Sequence, residues 1–94
     1  MPDVFVALAD PTRRSLLDAV AQRSDGVTAT ELAASLPISR QAVAKHLGVL
    51  QSAGLVSSQR AGRETRYRPT TAPLDEASAW IARLAALRER ATRG

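Results

Sequence analysis

The stretch of sequence that decides the fold is residues 28–54, which read TATELAASLPISRQAVAKHLGVLQSAG. Thr28 and Glu31 have the spacing of a capping box, which predicts the start of a short helix. Ser39 is a good N-cap for the next helix, and Gly54 suits the position just after that helix ends. Two helices joined by a turn of about three residues form a helix-turn-helix arrangement.

The residues before this pair predict two further helices. The residue before a proline is pushed out of the α region, so a short first helix must end by Asp10, and Pro37 ends the first helix of the pair. Asp10 can also cap a second helix, with Pro11 in its first turn, that runs to about Arg23. The predicted buried positions of this second helix are Leu16, Leu17, Val20 and Ala21.

The residues after Gly54 predict a β-hairpin and a last helix. Residues 55–60 and 64–68 are short strand candidates around Gly62, a residue that tolerates the positive φ of a tight turn. Pro69 and Pro73 end the hairpin, and helical periodicity returns from Leu74. The fold class is therefore mostly α with a small β-hairpin wing. We expect one domain over residues 1–94, in the order of four helices, a hairpin and a fifth helix.

The positive charge of the chain is concentrated in one segment. The 94 residues carry a formal net charge of +4. Residues 40–68 contain six of the basic residues and one acid, Glu64, which gives this window a charge of +5 and leaves the rest of the chain at −1. Such a concentration indicates a site for a polyanion. Aromatic residues make up only 3% of the chain, too few for stacking single-stranded bases, so double-stranded DNA is the expected partner.

One side of the second helix of the pair has the properties of a DNA-reading surface. At about 100° per residue, Val43, Leu47 and Leu50 fall on the apolar side. The predicted DNA-binding positions on the polar side are Arg40, Gln41, Ala44 and Lys45. Arginine pairs with guanine and glutamine with adenine in the major groove, where small neighbours allow a close approach. The alternative is the ordinary solvated face of an amphipathic helix.

The hairpin adds four more predicted DNA-binding residues, namely Arg60, Arg63, Arg66 and Arg68. Alternation puts Glu64, Arg66 and Arg68 on one face and Thr65 with Tyr67 on the other. A basic arm of this kind contacts the phosphate backbone or enters a minor groove, and it orients the protein on DNA. The alternative is an edge strand that its charge keeps soluble.

The two ends of the chain predict a dimer interface, formed by helices over about residues 3–9 and 74–92. An apolar seam with alternating spacings of three and four runs along the last helix, with more apolar surface than a small core can cover. The predicted interface residues are Val4, Phe5, Leu8, Ala77, Trp80, Ile81, Leu84 and Leu87. The alternative is a last helix that folds back on its own domain.

Composition excludes several classes of function. Without cysteine the chain forms no disulfide, thiolate zinc site or thiol nucleophile. Its one histidine, His46, lies on the apolar flank of its helix, where a structural role is expected, and one histidine makes a poor metal site. Because acid–base and nucleophilic groups are not clustered, we expect neither an enzyme nor a cofactor. We expect no membrane association and a cytoplasmic location, since no signal peptide or membrane span is present.

Three segments together resemble the winged-helix ArsR family of bacterial transcriptional regulators. They are ALADPTRR (7–14), TELA (30–33) and ISRQAVAKHLGVLQSAGLV (38–56). The resemblance covers about residues 4–70 and implies a winged helix-turn-helix fold in a homodimeric repressor of palindromic operators. The family's DNA-reading positions fall on Arg40, Gln41, Ala44 and Lys45.

The sequence departs from the metal-sensing members of that family. Those members carry cysteines in the third helix or Asp/His clusters in the last one, whereas residues 28–36 and 74–93 here contain neither cysteine nor histidine. The segment PLDEASAW (73–80) is similar to the branch without metal sites. A metal inducer is therefore not expected. Two alternatives to a simple repressor stay open: a winged-helix module that docks a protein, and a regulator that senses an unidentified small molecule.

Overall fold

The structure, a computed structural model, describes residues 3–93, and its elements follow the predicted order. They are α1 (Val4–Leu8), α2 (Pro11–Ala21), α3 (Ala29–Ser35), α4 (Arg40–Ser52), β1 (Val56–Ala61), β2 (Glu64–Pro69) and α5 (Ala72–Arg93). Helices α2, α3 and α4 pack around the core, the hairpin follows α4, and α5 extends from the domain. The molecule consequently measures 59 × 24 × 24 Å.

The predicted N-caps explain where the first helices begin. Asp10 Oδ1 accepts the backbone N–H of Thr12 at 2.7 Å and that of Arg13 at 3.2 Å. Desolvation raises the pKa of Asp10, but these two hydrogen bonds and the charges of Arg13 and His46 outweigh it and hold that pKa below its usual value. Asp3, which we had not identified as a cap, plays the same part for α1 by accepting from the backbone of Phe5 at 2.9 Å.

The turn between α3 and α4 is one residue longer than expected. Helix α3 ends at Ser35 and not at Pro37, because Leu36 precedes the proline and is forced into an extended conformation with φ −128° and ψ 148°. Ser39 caps α4 as predicted, accepting the N–H of Ala42 at 3.1 Å. At the other end of α4, the N–H of Gly54 donates to Gln51 O and that of Leu55 to Leu50 O, the pattern of a Schellman motif.

The hairpin is a two-stranded antiparallel sheet in which Ala61 pairs with Glu64. This pairing leaves a two-residue turn, Gly62-Arg63, and Gly62 has φ +65°. A glycine with positive φ at the first turn position suits a II′ hairpin, whose twist matches the strands. The strand bounds differ slightly from the prediction, since β1 begins at Val56 and Pro69 belongs to β2. Pro69 lies at the end of an edge strand, where its missing N–H breaks no central ladder.

A backbone contact distant in sequence anchors the hairpin to the helices. Val27 N–H donates to Tyr67 O at 3.0 Å, and Tyr67 N–H donates to Val27 O at 2.8 Å. The segment before α3 is thereby bridged to β2. No sequence pattern had indicated this pairing.

The core lies between α2, α3, α4 and the start of the hairpin. Its largest fully buried side chains are Leu16, Val20, Leu32, Val43, Leu47, Leu50 and Leu55. The predicted stripe of α2 is correct at Leu16 and Val20, partly correct at half-buried Leu17 and wrong at Ala21, which is exposed. Ala21 is the last residue of its helix, and the chain turns away from the core there.

Helix α5 begins two residues earlier than predicted. Ala72 starts it and Pro73 occupies the first turn, where its lack of an N–H costs no helical hydrogen bond. None of its residues 72–93 is buried, although Leu74 packs against the core. Across residues 3–93, no helix combines the length and apolar character needed to cross a lipid bilayer.

Candidate nucleic-acid interface

A groove of about 660 Å³ separates the starts of α3 and α4 from the hairpin. On one side it is lined by the first residues of α3 together with Arg40 and Ala44 of α4. The hairpin contributes Arg60, Arg63 and Arg66 to the other side. The fold therefore brings predicted DNA-binding residues of α4 and of the wing, distant in sequence, to one groove, whereas Gln41, Lys45 and Arg68 do not line it.

The polar face of α4 is open to solvent as predicted. Arg40, Gln41, Ala44 and Lys45 are all exposed, whereas Val43, Leu47 and Leu50 on the opposite face are 0% exposed. The N-cap Ser39 and the first two residues of the helix, Arg40 and Gln41, are exposed. Exposed polar side chains at a helix N-terminus match the geometry by which recognition helices reach base edges.

A hydrogen bond that the sequence did not reveal links the wing to α4. Gln51 Nε2 donates to Ser58 Oγ of β1 at 3.0 Å. Gln51 lies on the polar side of α4, toward the end of the helix nearer the wing. Helix α4 and the hairpin are thus joined by a side-chain hydrogen bond as well as by the short connection between them.

The arginines of the wing differ in their surroundings. At the tip, Arg60 Nε donates to Gly62 O at 3.1 Å, which bends this side chain back over the turn. Arg63 is exposed and makes no hydrogen bond or ion pair with residues 3–93. The tip of the wing therefore carries cationic groups accessible to an incoming anion.

At the base of the wing, Arg66 and Arg68 are hydrogen-bonded to the protein itself. Arg66 Nη1 donates to Gly26 O at 3.3 Å, and its Nη2 lies 3.0 Å from Glu64 Oε2. Arg68 Nη2 donates to Asp25 O at 3.3 Å. Both arginines attach β2 to the loop before α3, a role that the strand alternation could not reveal because the loop is about 40 residues away in sequence.

Glu31 connects α3 to Arg66 at the base of the wing. Its Oε1 accepts the N–H of Thr28 at 3.0 Å, completing the predicted capping box, and its Oε2 lies 3.3 Å from Arg23 Nη2. The hydrogen bonds of Thr28, with added help from the charges of Arg23 and Arg66, hold the pKa of Glu31 below its usual value. Glu31 is consequently a stable carboxylate at the edge of the groove.

The predicted interface residues at the two chain ends fall into two groups. Phe5, Trp80, Ile81, Leu84 and Leu87 are between 46% and 58% exposed, and Val6, which we had not predicted, is 60% exposed. Val4, Leu8 and Ala77 are half-buried, and the first two pack against the core. Phe5 and Trp80 meet edge to face with ring centroids 5.4 Å apart, which joins the exposed parts of α1 and α5 into one apolar surface.

His46 is half-buried on α4, and its Nδ1 is buried without a hydrogen-bond partner among residues 3–93. This position agrees with the structural role expected from its place on the apolar flank. No group of three or more metal-ligating side chains occurs within residues 3–93.

Comparisons with known proteins agree on one class of protein, the helix-turn-helix transcriptional regulators. A family model described as "Helix-turn-helix domain" matches residues 8–59. The transcriptional repressor SdpR of Bacillus subtilis is 33% identical over 81 residues, which cover 86% of this chain and 88% of SdpR. The uncharacterized HTH-type transcriptional regulator YuzN, also from Bacillus subtilis, is 47% identical over 66 residues, 64% of this chain and 71% of YuzN.

A solved structure extends the likeness to almost the whole chain. An ArsR-like transcriptional regulator from Rhodococcus sp. RHA1 superposes with a TM-score of 0.81 at 43% identity, covering 95% of this chain and 82% of that one. The predicted winged arrangement is confirmed, and the prediction of a regulator that is not an enzyme agrees with the functions named for these relatives. The protein belongs to the ArsR family of helix-turn-helix transcriptional regulators.

Proposed function

We propose that the protein is a homodimeric repressor that binds a palindromic operator in double-stranded DNA. The observation that carries the proposal is the groove in which the exposed start of α4 faces the basic wing. Residues 40–53 act as the recognition helix in the major groove. Residues 55–68 act as a wing on the phosphate backbone or in the adjacent minor groove.

The recognition helix supplies the sequence preference. Arg40 donates two hydrogen bonds to guanine O6 and N7, and Gln41 pairs with adenine N6 and N7. Ala44 leaves room for the helix to approach the bases, and Lys45 binds either a base edge or a phosphate. Each bidentate pair contributes about 1–3 kcal/mol of discrimination against the wrong base.

The wing supplies affinity and orientation. Arg60 and Arg63 at its tip bind phosphates, which fixes the register of the protein on the duplex without reading sequence. Arg66 and Arg68 add positive charge at the base of the wing, where their guanidinium groups exchange protein acceptors for phosphate oxygens when DNA binds.

The apolar surface of α1 and α5 pairs two chains. Side chains as large as Trp80, Leu84 and Leu87 are about half exposed there, and an apolar surface of this kind marks an interaction site. A second copy with the same surface covers it in a two-fold dimer, the commonest symmetry of soluble oligomers. Two recognition helices then enter successive major grooves about 34 Å apart.

Fluorescence anisotropy on the protein's own upstream DNA, over a salt series, tests the proposal. With about five phosphate contacts, the logarithm of the association constant should fall against the logarithm of salt with a slope of about −4 to −5. The double variant Arg40→Ala, Gln41→Ala should lose the preference over random duplex. Arg83→Ala, which removes an exposed arginine of α5, is the charge control.

Equal binding to upstream and random duplex, without a salt slope, would refute the repressor. If the double variant instead keeps full regulatory activity in cells while charge reversal in α5 abolishes it, the winged helix docks a protein.

A further inference from the structure

Glu64 is the one acid among the 29 residues from Arg40 to Arg68, so it interrupts the basic surface that faces the groove. Its carboxylate Oε2 lies 3.0 Å from Arg66 Nη2. Its side chain is 55% exposed, whereas that of Arg66 is 30% exposed. An acid in this position repels a phosphate and also occupies an arginine that would bind one.

The other acid of the groove has a structural task that Glu64 lacks. Glu31 completes the capping box of α3 and is paired with Arg23. Within residues 3–93, Arg66 is the single side chain with which Glu64 forms a hydrogen bond or ion pair. The backbone of Glu64 keeps its place in the hairpin, opposite Ala61, whatever its side chain does. The carboxylate of Glu64 therefore caps no helix, and its exposed pair with Arg66 adds little to stability.

Both terminal nitrogens of Arg66 already donate to protein acceptors. Its Nη1 donates to Gly26 O at 3.3 Å and lies 4.0 Å from Glu31 Oε1, while its Nη2 is taken by Glu64. Because Nη2 donates to Glu64, a phosphate that approaches this nitrogen competes with the carboxylate and is repelled by its charge. Exposed pairs of this kind have a small interaction energy, so the exchange is possible but has a cost.

We propose that Glu64 is an internal competitor of the DNA phosphate for Arg66, and that it thereby limits the affinity of the wing for DNA. This inference rests on the proposed DNA-binding function. Since phosphate contacts are independent of sequence, the restraint acts on operator and random duplex alike. It therefore lowers the affinity for DNA as a whole and leaves the ratio of operator to non-specific binding unchanged.

The test compares Glu64→Gln with Glu89→Gln by anisotropy over a salt series. Both changes remove one negative charge and break one exposed pair with an arginine, but the Glu89–Arg93 pair lies on α5, away from the groove. We expect Glu64→Gln to tighten binding to both duplexes by about two- to fivefold, with a salt slope steeper by about one. Glu89→Gln should change neither the affinity for the two duplexes nor the salt slope. Equal effects of the two variants would overturn the proposal.

A second comparison asks whether Glu64 acts through Arg66. In an Arg66→Ala background, Glu64→Gln should tighten binding by less than half of its original logarithmic effect. A larger effect that persists without Arg66 would overturn the competition. Glu64→Asp, which keeps the charge but shortens the reach to Arg66, should also tighten binding, and weaker or unchanged binding would count against the proposal. Absence of salt-dependent DNA binding by the unaltered protein would instead refute the proposed function.

Discussion

Arg13 Nε donates to the backbone oxygen of Ala7 at 2.7 Å, and so α2 holds the end of α1. A second nitrogen of the same guanidinium, Nη2, donates to Val6 O at 3.1 Å, and Arg14 Nη1 donates to Leu8 O at 2.7 Å. The last carbonyls of a helix have no partner within it. At five residues, α1 is too short to be stable alone, so these arginines help to keep its exposed apolar residues in place beside α5.

Replacing Arg13 by alanine should therefore lower the free energy of unfolding. Hydrogen bonds from a charged donor contribute about 1.5–3 kcal/mol, and we expect a loss in that range. Urea denaturation followed by circular dichroism measures it. Arg83→Ala, an exposed arginine on α5, should change stability by less than about 0.5 kcal/mol. Equal losses in the two variants would contradict a role for Arg13 in holding α1.

Glu31 should make the stability of the protein sensitive to acid. Its pKa is lowered from an ordinary value of 4.5 in the folded protein, chiefly by the hydrogen bonds of Thr28. A lowered folded pKa stabilises the protein above the unfolded value, and that contribution is lost as pH falls through the folded value. Glu31→Gln should therefore show a smaller loss of stability between about pH 6 and pH 3 than the unaltered protein. An identical acid dependence would contradict this.

Gly26 should resist substitution because of both its backbone and its neighbours. It has φ +88°, and a Cβ there would lie 3.2 Å from Arg66 Cβ and 3.3 Å from Arg68 Nε. Gly26→Ala should destabilise the protein by about 1–3 kcal/mol. The matched control is Gly48→Ala in the interior of α4, where nothing lies within 4 Å and alanine should stabilise by about 0.5–1 kcal/mol. Thermal melting of both variants should give shifts of opposite sign.

Capping residues in the sequence predicted the helices well, because the start of each helix depends on residues that are neighbours in the chain. The caps at Asp10, Thr28 and Ser39 satisfy amides two or three positions away, and all three are confirmed. The pairing of Val27 with Tyr67 could not be predicted, since it joins residues about 40 positions apart, and no period or cap records such a contact.

The same limit applies to the candidate site. Periodicity identified the exposed face of α4, because burial of Val43 and Leu47 fixes which residues face outward. It could not show that Arg66 is shared between Glu64 and the loop at Gly26, since charge counting treats every arginine as free. On α1, the apolar pattern grouped Val4 with Phe5, although Val4 packs on the core and Phe5 is half exposed. One turn of helix is too short for periodicity to separate two faces.

Arg63 should contribute affinity without sequence preference. It is exposed at the turn of the wing and makes no hydrogen bond or ion pair within the described chain. Arg63→Ala should weaken binding to upstream and random duplex by the same factor. It should also make the salt slope shallower by about one. Arg40→Ala should instead weaken the preferred site more than random duplex. Anisotropy on both duplexes separates the two effects, and a selective effect of Arg63→Ala would show that the wing reads sequence.

Leu84→Glu should separate the two chains of the proposed dimer. Leu84 is 46% exposed on the face of α5 that also carries Trp80, so a carboxylate there would be buried without a partner in a paired interface. Light scattering should give twice the 10.0 kDa chain mass for the unaltered protein and a single chain mass for the variant. Ala82→Glu adds the same charge at an exposed position on the other side of α5 and should stay dimeric.

Separation of the chains should also weaken DNA binding, since a single chain contacts one half-site. Two linked half-sites gain about 10²- to 10⁴-fold from effective concentration, so Leu84→Glu should lose affinity for upstream DNA by at least about 100-fold. Trp80, the one tryptophan of the chain, reports directly whether the chains are paired. Its fluorescence should shift to longer wavelength when the partner no longer covers it. A variant that stays dimeric, or a monomer that binds DNA with undiminished affinity, would contradict pairing through α5.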